Sequence, residues 1–144
     1  MTNEPLLGPV VALVAWSIIM LFWMVASRLP AMAKAGIDLK TRVGSTPGAL
    51  DGAIDDKAQW KAHNYIHLME QPTLFYAIVF ALILMGQSNP INCWLAWGYV
   101  ALRVAHSIVQ ATWNRILVRF ILFALSSLCL LALTLHAALQ LIHG

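Results

Sequence analysis

A chain of 144 residues in which 60% are hydrophobic and only 10% are charged does not match a soluble domain, whose surface carries far more charge. Nine basic and six acidic residues leave a net charge of +3. This composition excludes a soluble enzyme, and no nucleic-acid partner is expected. It predicts an integral membrane protein.

Four stretches of the chain approach the roughly 20 apolar residues that a membrane-spanning helix needs. They cover residues 6–28, 60–85, 91–112 and 116–142, and a polar loop covers 30–59. The first stretch lacks a basic start and runs too long for a signal peptide, so it is expected to be retained. The predicted fold class is an all-α four-transmembrane-helix bundle, with a single domain over residues 1–144.

The basic residues predict how the chain is oriented in the membrane. All nine lie between Arg28 and Lys61 or between Arg103 and Arg119. By the positive-inside rule these segments face the cytoplasm, and both termini lie on the opposite side. The basic face is also expected to attract anionic membrane lipid. A bacterial inner membrane is the expected location.

Ionisable side chains on the second predicted span indicate a buried site. At helical spacing, His63, His67 and Glu70 fall on one face. A rise of about 1.5 Å per residue places Glu70 roughly 15 Å below the cytoplasmic interface, where an unpaired carboxylate is costly. Arg103 on the third span lies at a similar depth. A buried ion pair between Glu70 and Arg103 is therefore predicted.

Further polar residues extend this site into a cleft that opens to the cytoplasm. His106 and Gln110 follow Arg103 along the same helical face. Three more arginines are placed at the mouth of the cleft: Arg28, Arg115 and Arg119. Because arginine binds carboxylates in a bidentate manner, a small, multiply anionic ligand is predicted. A lipophilic second substrate could enter from the bilayer.

Other interpretations of these residues stay open. The ion pair could have the structural role alone of holding helices together. The side chain of Arg119 could extend to the membrane interface without binding a ligand. A channel or proton relay is also compatible with buried ionisable groups. A transition-metal site could use His63, His67, His106 and Glu70. The neighbouring arginines would repel a cation, so no metal is expected.

The residues of the third and fourth spans resemble those of the MAPEG family, the membrane-associated proteins of eicosanoid and glutathione metabolism. The run from Arg103 to His106, followed by Arg115 and Arg119, is similar to the corresponding segment of the microsomal prostaglandin E synthases. Glu70 occupies the place of the family's second-helix glutamate. The resemblance covers most of the chain and implies a homotrimer of four-helix subunits, with sites between neighbouring subunits.

The resemblance also implies an activity, a co-substrate and roles for residues. It implies a membrane-bound, glutathione-dependent transferase or peroxidase that acts on lipophilic electrophiles or hydroperoxides. Arg119 matches the arginine proposed to activate the glutathione thiol. The glutathione-binding residues it implies are Arg28, His63, His67, Glu70, Arg103, His106, Gln110 and Arg115.

Five positions depart from the family pattern, including His63 in place of an arginine and Pro72, which lies one position before the family proline. His67 stands where the family usually has asparagine, and Gln110 stands where a tyrosine commonly contacts glutathione. Phe120 replaces the serine that follows the catalytic arginine in the prostaglandin synthases. These departures keep a second hypothesis open: a non-catalytic membrane protein of the same fold that binds another small anionic ligand or acts as a scaffold.

Overall fold

The computed structural model describes residues 3–46 and 48–144. These ranges contain five α-helices and no β-strand. The helices are α1 (Leu7–Lys34), α2 (Asp56–Leu68), α3 (Gln71–Leu84), α4 (Pro90–Thr112) and α5 (Ile116–His143). The all-α fold class is confirmed.

Three helical stretches in the described part of the chain are long and apolar enough to cross a membrane. They are Leu7–Lys34, Asp56–Leu84 and Ile116–His143. Their outer faces expose large apolar side chains, such as Phe22, Leu128 and Leu135. α4 covers the third predicted span. It is not among these three stretches, because several of its residues are polar and lower its mean hydropathy. The fourth crossing therefore stays a prediction.

The helix ends differ from the prediction mainly around the first loop. α1 continues past Arg28 to Lys34 with Pro30 inside it, and α2 begins at Asp56. The loop is thus shorter than 30–59 and covers 35–55. The extra turns are stabilised by a small apolar cluster that joins the loop to both helices. Its buried members are Met32, Leu50, Ile54 and Ala58.

The second predicted span is broken between α2 and α3. Pro72 lies in the first turn of α3. Its ring would collide with the carbonyl of Leu68 in a continuous helix. Glu70, two residues before the proline, has φ −90° and ψ −98°, outside the helical region, and the helix is interrupted there. The prediction that Glu70 shares one helical face with His63 and His67 is therefore wrong.

α4 is the central helix of the bundle, since it packs against α1, α2 and α5. The main apolar core includes Leu13 and Met20 of α1, Phe75 of α3 and Leu133 of α5. Phe75 stacks on Tyr99 of α4, with ring centroids 4.4 Å apart. This packing holds the polar face of α4 inside the bundle.

Ser107 of α4 joins three helices through one hydroxyl oxygen. Trp16 Nε1 of α1 donates to Ser107 Oγ at 2.9 Å, and Asn64 Nδ2 of α2 donates to it at 2.7 Å. Asn64 is only 1% exposed. A buried amide of this kind is costly to leave without partners.

Replacing Ser107 with alanine is expected to lower the free energy of unfolding by about 2 kcal/mol, because the buried Asn64 amide and the partly buried Trp16 N–H lose their acceptor. Thermal unfolding of the detergent-solubilised protein, followed by circular dichroism, measures the change. Ser126→Ala is the matched control, since Ser126 is also buried but bonds only to Phe123 O of its own helix. Equal losses in the two variants would contradict a role for Ser107 in joining the helices.

Candidate functional site

A cavity of about 240 Å³ lies between α2, α4 and the start of α5. We call it the Arg119 cavity. Three residues predicted from the sequence line it, one from each helix: His67, His106 and Arg119. The remaining lining residues are the apolar Ile116, Phe120 and Phe123 of α5. The cavity thus combines one cationic group, two imidazoles and an apolar wall.

The two histidines form the polar wall of the Arg119 cavity. The rings of His67 and His106 lie 5.2 Å apart between centroids. The ring of Phe123 meets the edge of His67 at 5.8 Å and lies 6.4 Å from His106. Phe123 was not predicted from the sequence. Its position four residues after Arg119 on one helix was the available signal, because such residues share a face.

Arg119 is held at the cavity by the turn between α4 and α5. Its Nη1 donates to Asn114 Oδ1 at 2.7 Å. Asn114 has φ +52°, a left-handed conformation that asparagine tolerates better than most residues. Arg119 Nε is buried and has no hydrogen-bond partner among the residues that the structure describes. The asparagine therefore orients the guanidinium and leaves donor capacity for a ligand.

Arg103 lies beneath His67 and is 1% exposed. Its Nη2 is 3.4 Å from His67 Nδ1 and 3.4 Å from the His67 carbonyl oxygen. Over residues 3–46 and 48–144, its Nε and Nη1 have no partner and it forms no salt bridge. The aromatic rings of Tyr99 and Phe123 lie 6.0 and 5.6 Å from its guanidinium carbon. A buried cation without a counter-ion is costly, so this position favours an anion nearby.

The predicted ion pair between Glu70 and Arg103 is not formed in this structure. The side chain of Glu70 is 61% exposed, and its Oε2 lies 4.0 Å from His67 Nδ1. The break between α2 and α3 places the carboxylate outside the buried polar face. His67 therefore lies between the two charged residues that were expected to meet.

The other predicted site residues lie apart from the Arg119 cavity. His63 Nε2 is 3.1 Å from Asp51 Oδ1 of the loop. Arg28 lines a different cavity, and the guanidinium carbon of Arg115 lies 4.7 Å from the centre of a Trp113 ring. Gln110 is buried in α4. Their roles in glutathione binding stay predictions.

The metal hypothesis does not agree with this geometry. His67 and His106 are neighbours, but His63 is directed to Asp51 and the Glu70 carboxylate is exposed. In the described part of the chain, no three His, Cys, Asp or Glu side chains are grouped closely enough for a metal ion. The four proposed ligands do not converge.

Asp51 fastens the loop to α2 through two hydrogen-bonding contacts. Gln59 Nε2 donates to Asp51 Oδ1 at 2.6 Å, and His63 Nε2 lies at 3.1 Å. The hydrogen bond from Gln59, with the charges of His63 and Arg28, holds the pKa of Asp51 below its ordinary 3.8. A lowered carboxyl pKa stabilises the folded state above the ordinary value, and this contribution is lost as the pH falls through the lowered value.

Hydrogen exchange of the loop is expected to report this dependence. Amides of residues 48–55 should be protected at neutral pH and lose protection below a pH of about 4, after correction for intrinsic exchange. Asp51→Asn should expose them already at neutral pH. Asp38→Asn is the control, because Asp38 bonds only locally, to Lys40 N and Thr41 Oγ1. Full protection in Asp51→Asn would show that the apolar cluster alone holds the loop.

The fold and the outer surface define an all-α membrane protein with a polar site among its helices. A family model described as the MAPEG family matches residues 6–139, nearly the whole chain. No curated protein and no solved structure matches it. The chain therefore belongs to the MAPEG family, and the resemblance seen in the sequence is confirmed.

Proposed function

We propose that this protein is a membrane-bound, glutathione-dependent transferase or peroxidase in which Arg119 stabilises the thiolate. The observation that carries the proposal is the guanidinium of Arg119, which lines a cavity and is oriented by Asn114. A free thiol has a pKa of about 8.5, and a neighbouring guanidinium lowers it. The thiolate is the attacking species, so this contact supplies a nucleophile at neutral pH.

The charge around the cavity suits an anionic tripeptide. Arg119 and Arg103 both carry buried N–H groups without partners in the described ranges. Glutathione has two carboxylates, and the positive charge beside the cavity attracts them. His67 separates Arg103 from the cavity, so the charge of Arg103 acts on the ligand mainly at a distance. Its burial weakens solvent screening and keeps that interaction strong.

The chemistry needs only the thiol and an electrophile. In conjugation, a sulfur–carbon bond forms, the bond to a leaving group such as chloride breaks, and the thiol proton passes to solvent. With a hydroperoxide, the thiolate attacks the terminal oxygen, the O–O bond breaks, and the alkoxide takes up a proton. A second glutathione then reduces the resulting sulfenic acid to the disulfide and water. Two glutathione molecules are oxidised for each hydroperoxide reduced.

The apolar side of the Arg119 cavity suits a lipophilic substrate. Phe120 is 66% exposed, and Ile116 beside it is also exposed. Both lie where α5 begins, next to the cationic group. An electrophile dissolved in the bilayer could reach the thiolate along this wall. The replacement of the family serine by Phe120 favours an apolar substrate at this point.

Assembly and topology belong to the same proposal. We place the protein in a bacterial inner membrane as a homotrimer of four-span protomers, with the Arg119 cavity open to the cytoplasm. Membership of the family supports the trimer, and the position of the nine basic residues supports the orientation. Native mass spectrometry from detergent is expected to give three copies; a monomer would contradict this assembly.

Binding and turnover, measured together, test the proposed function. Calorimetry of the detergent-purified protein should show glutathione binding at millimolar concentration or tighter, and 1-chloro-2,4-dinitrobenzene should be conjugated. S-methylglutathione is the matched ligand control, because it keeps both carboxylates but has no thiol to ionise. Binding of both ligands without conjugation or peroxidase turnover would favour the non-catalytic alternative. No binding of either would contradict glutathione as the ligand.

A further inference from the structure

A second cavity lies between the end of α1 and the loop that follows it. We call it the loop cavity. Its volume is about 520 Å³, compared with about 240 Å³ for the Arg119 cavity, and the two share no lining residue. Arg28 and Met32 of α1 form one side. Leu39, Arg42 and Ser45 of the loop form the other.

Neither guanidinium group of the loop cavity forms a salt bridge in the described part of the chain, although the charge of Arg28 acts on Asp51 at longer range. Arg28 Nε is buried and has no hydrogen-bond partner among residues 3–46 and 48–144. Within the same ranges, neither Arg28 nor Arg42 forms a salt bridge. Two cationic groups that share a cavity in this way favour an anionic ligand between them.

The nearby carboxylates are already engaged by other groups. Asp38 accepts hydrogen bonds from Lys40 N at 2.9 Å and Thr41 Oγ1 at 3.0 Å. Asp51 is held by Gln59 and His63. Both acids therefore stabilise the shape of the loop, and neither forms a salt bridge with Arg28 or Arg42.

Apolar side chains at the same loop indicate contact with the bilayer. Val43 is 96% exposed, directly beside Arg42, and Leu39 at the cavity wall is also exposed. Lys34 and Lys40 are exposed nearby. A segment that combines basic groups with protruding apolar ones is typical of the headgroup region of an anionic membrane.

We propose that the loop cavity binds the phosphate group of an anionic phospholipid, with the acyl chains against Leu39 and Val43. The two guanidinium groups would hold the phosphate oxygens, and the exposed hydroxyl of Ser45 can add a hydrogen bond. Its present contact is only a 3.4 Å bond to Thr46 O. The loop cavity shares no lining residue with the Arg119 cavity. The proposal assigns Arg28 a ligand other than the glutathione that the family resemblance implies for it.

Calorimetry in a neutral detergent tests the ligand. The probes are dihexanoyl phosphatidic acid, dihexanoyl phosphatidylcholine and inorganic phosphate, each below any micelle-forming concentration. Phosphatidic acid is expected to bind at least tenfold more tightly than phosphatidylcholine and than inorganic phosphate. Equal affinity for phosphatidylcholine would overturn recognition of charge, and equal affinity for inorganic phosphate would overturn the lipid as its source.

A pair of variants tests the location. Arg42→Gln removes a charge that lines the loop cavity, whereas Lys40→Gln removes one two residues away that does not. Arg42→Gln should weaken phosphatidic acid binding at least tenfold, and Lys40→Gln less than twofold. Unchanged thermal unfolding in both variants verifies that each is folded. Equal losses would show attraction to a diffuse basic surface and would overturn the site.

Discussion

Replacing Arg119 by alanine is expected to reduce the turnover number for glutathione conjugation at least 100-fold and to change glutathione affinity less than about fivefold. In the proposed mechanism, the guanidinium lies where the thiolate charge develops, whereas most of the glutathione molecule would be held by other groups. Asn114 orients Arg119 in advance, so its charge is in place before the thiol ionises. Steady-state kinetics with 1-chloro-2,4-dinitrobenzene and calorimetry with glutathione separate the two quantities.

The pH dependence of the same reaction tests the mechanism. In Arg119→Ala, the rise of the residual rate with pH should move toward about 8.5, the ordinary pKa of a thiol. Lys57→Ala is the charge control, because Lys57 is an exposed residue at the start of α2 and does not line the Arg119 cavity. Unchanged turnover in Arg119→Ala, or the same loss in Lys57→Ala, would contradict a specific role for Arg119.

Arg103→Met is expected to change stability and glutathione affinity in opposite directions. Without ligand, the variant should resist unfolding as well as the wild type or better, because it replaces a buried cation that has no counter-ion by an apolar chain of similar length. Its affinity for glutathione should fall at least tenfold, since the weakly screened charge beneath His67 is lost. Thermal unfolding with and without glutathione measures both effects.

A conservative variant separates binding from architecture. Arg103→Lys keeps the charge but loses the planar fork, so it should retain more of the stabilisation by glutathione than Arg103→Met does. Suppose instead that Arg103→Met unfolds at lower temperature and keeps its stabilisation by glutathione. The guanidinium would then serve mainly to join α4 to α2 through the His67 carbonyl. That result would favour a purely structural role for Arg103.

Local sequence was sufficient for the class of protein and for most helix positions. A bilayer core offers no water, so a spanning segment must be apolar and must satisfy its own backbone hydrogen bonds. The sequence of each segment by itself shows whether it meets both requirements. The last two predicted spans agree with α4 and α5 to within one residue, and the family assignment is confirmed over residues 6–139. His67, His106 and Arg119 were also expected in one site, and they line one cavity.

The break before Pro72 shows where a local signal was present but underweighted. The apolar pattern from 60 to 85 predicted one continuous helix, and the proline that interrupts it was visible in the sequence. The break at Glu70 lies two residues before that proline, whose ring is incompatible with a continuous helix through Leu68. An error of a few residues in helix continuity was enough to move a carboxylate from the buried face to the surface.

The sequence by itself determined a helical membrane protein of the MAPEG family and the residue types that its sites can use. Only the tertiary structure decided which of them meet. It separates Arg28 from Arg119 into two cavities, directs His63 to Asp51 and leaves Arg103 beside His67. The physical reason is that partner choice depends on how helices rotate against each other and on the path of a loop. Neither is encoded in the spacing of residues along one segment.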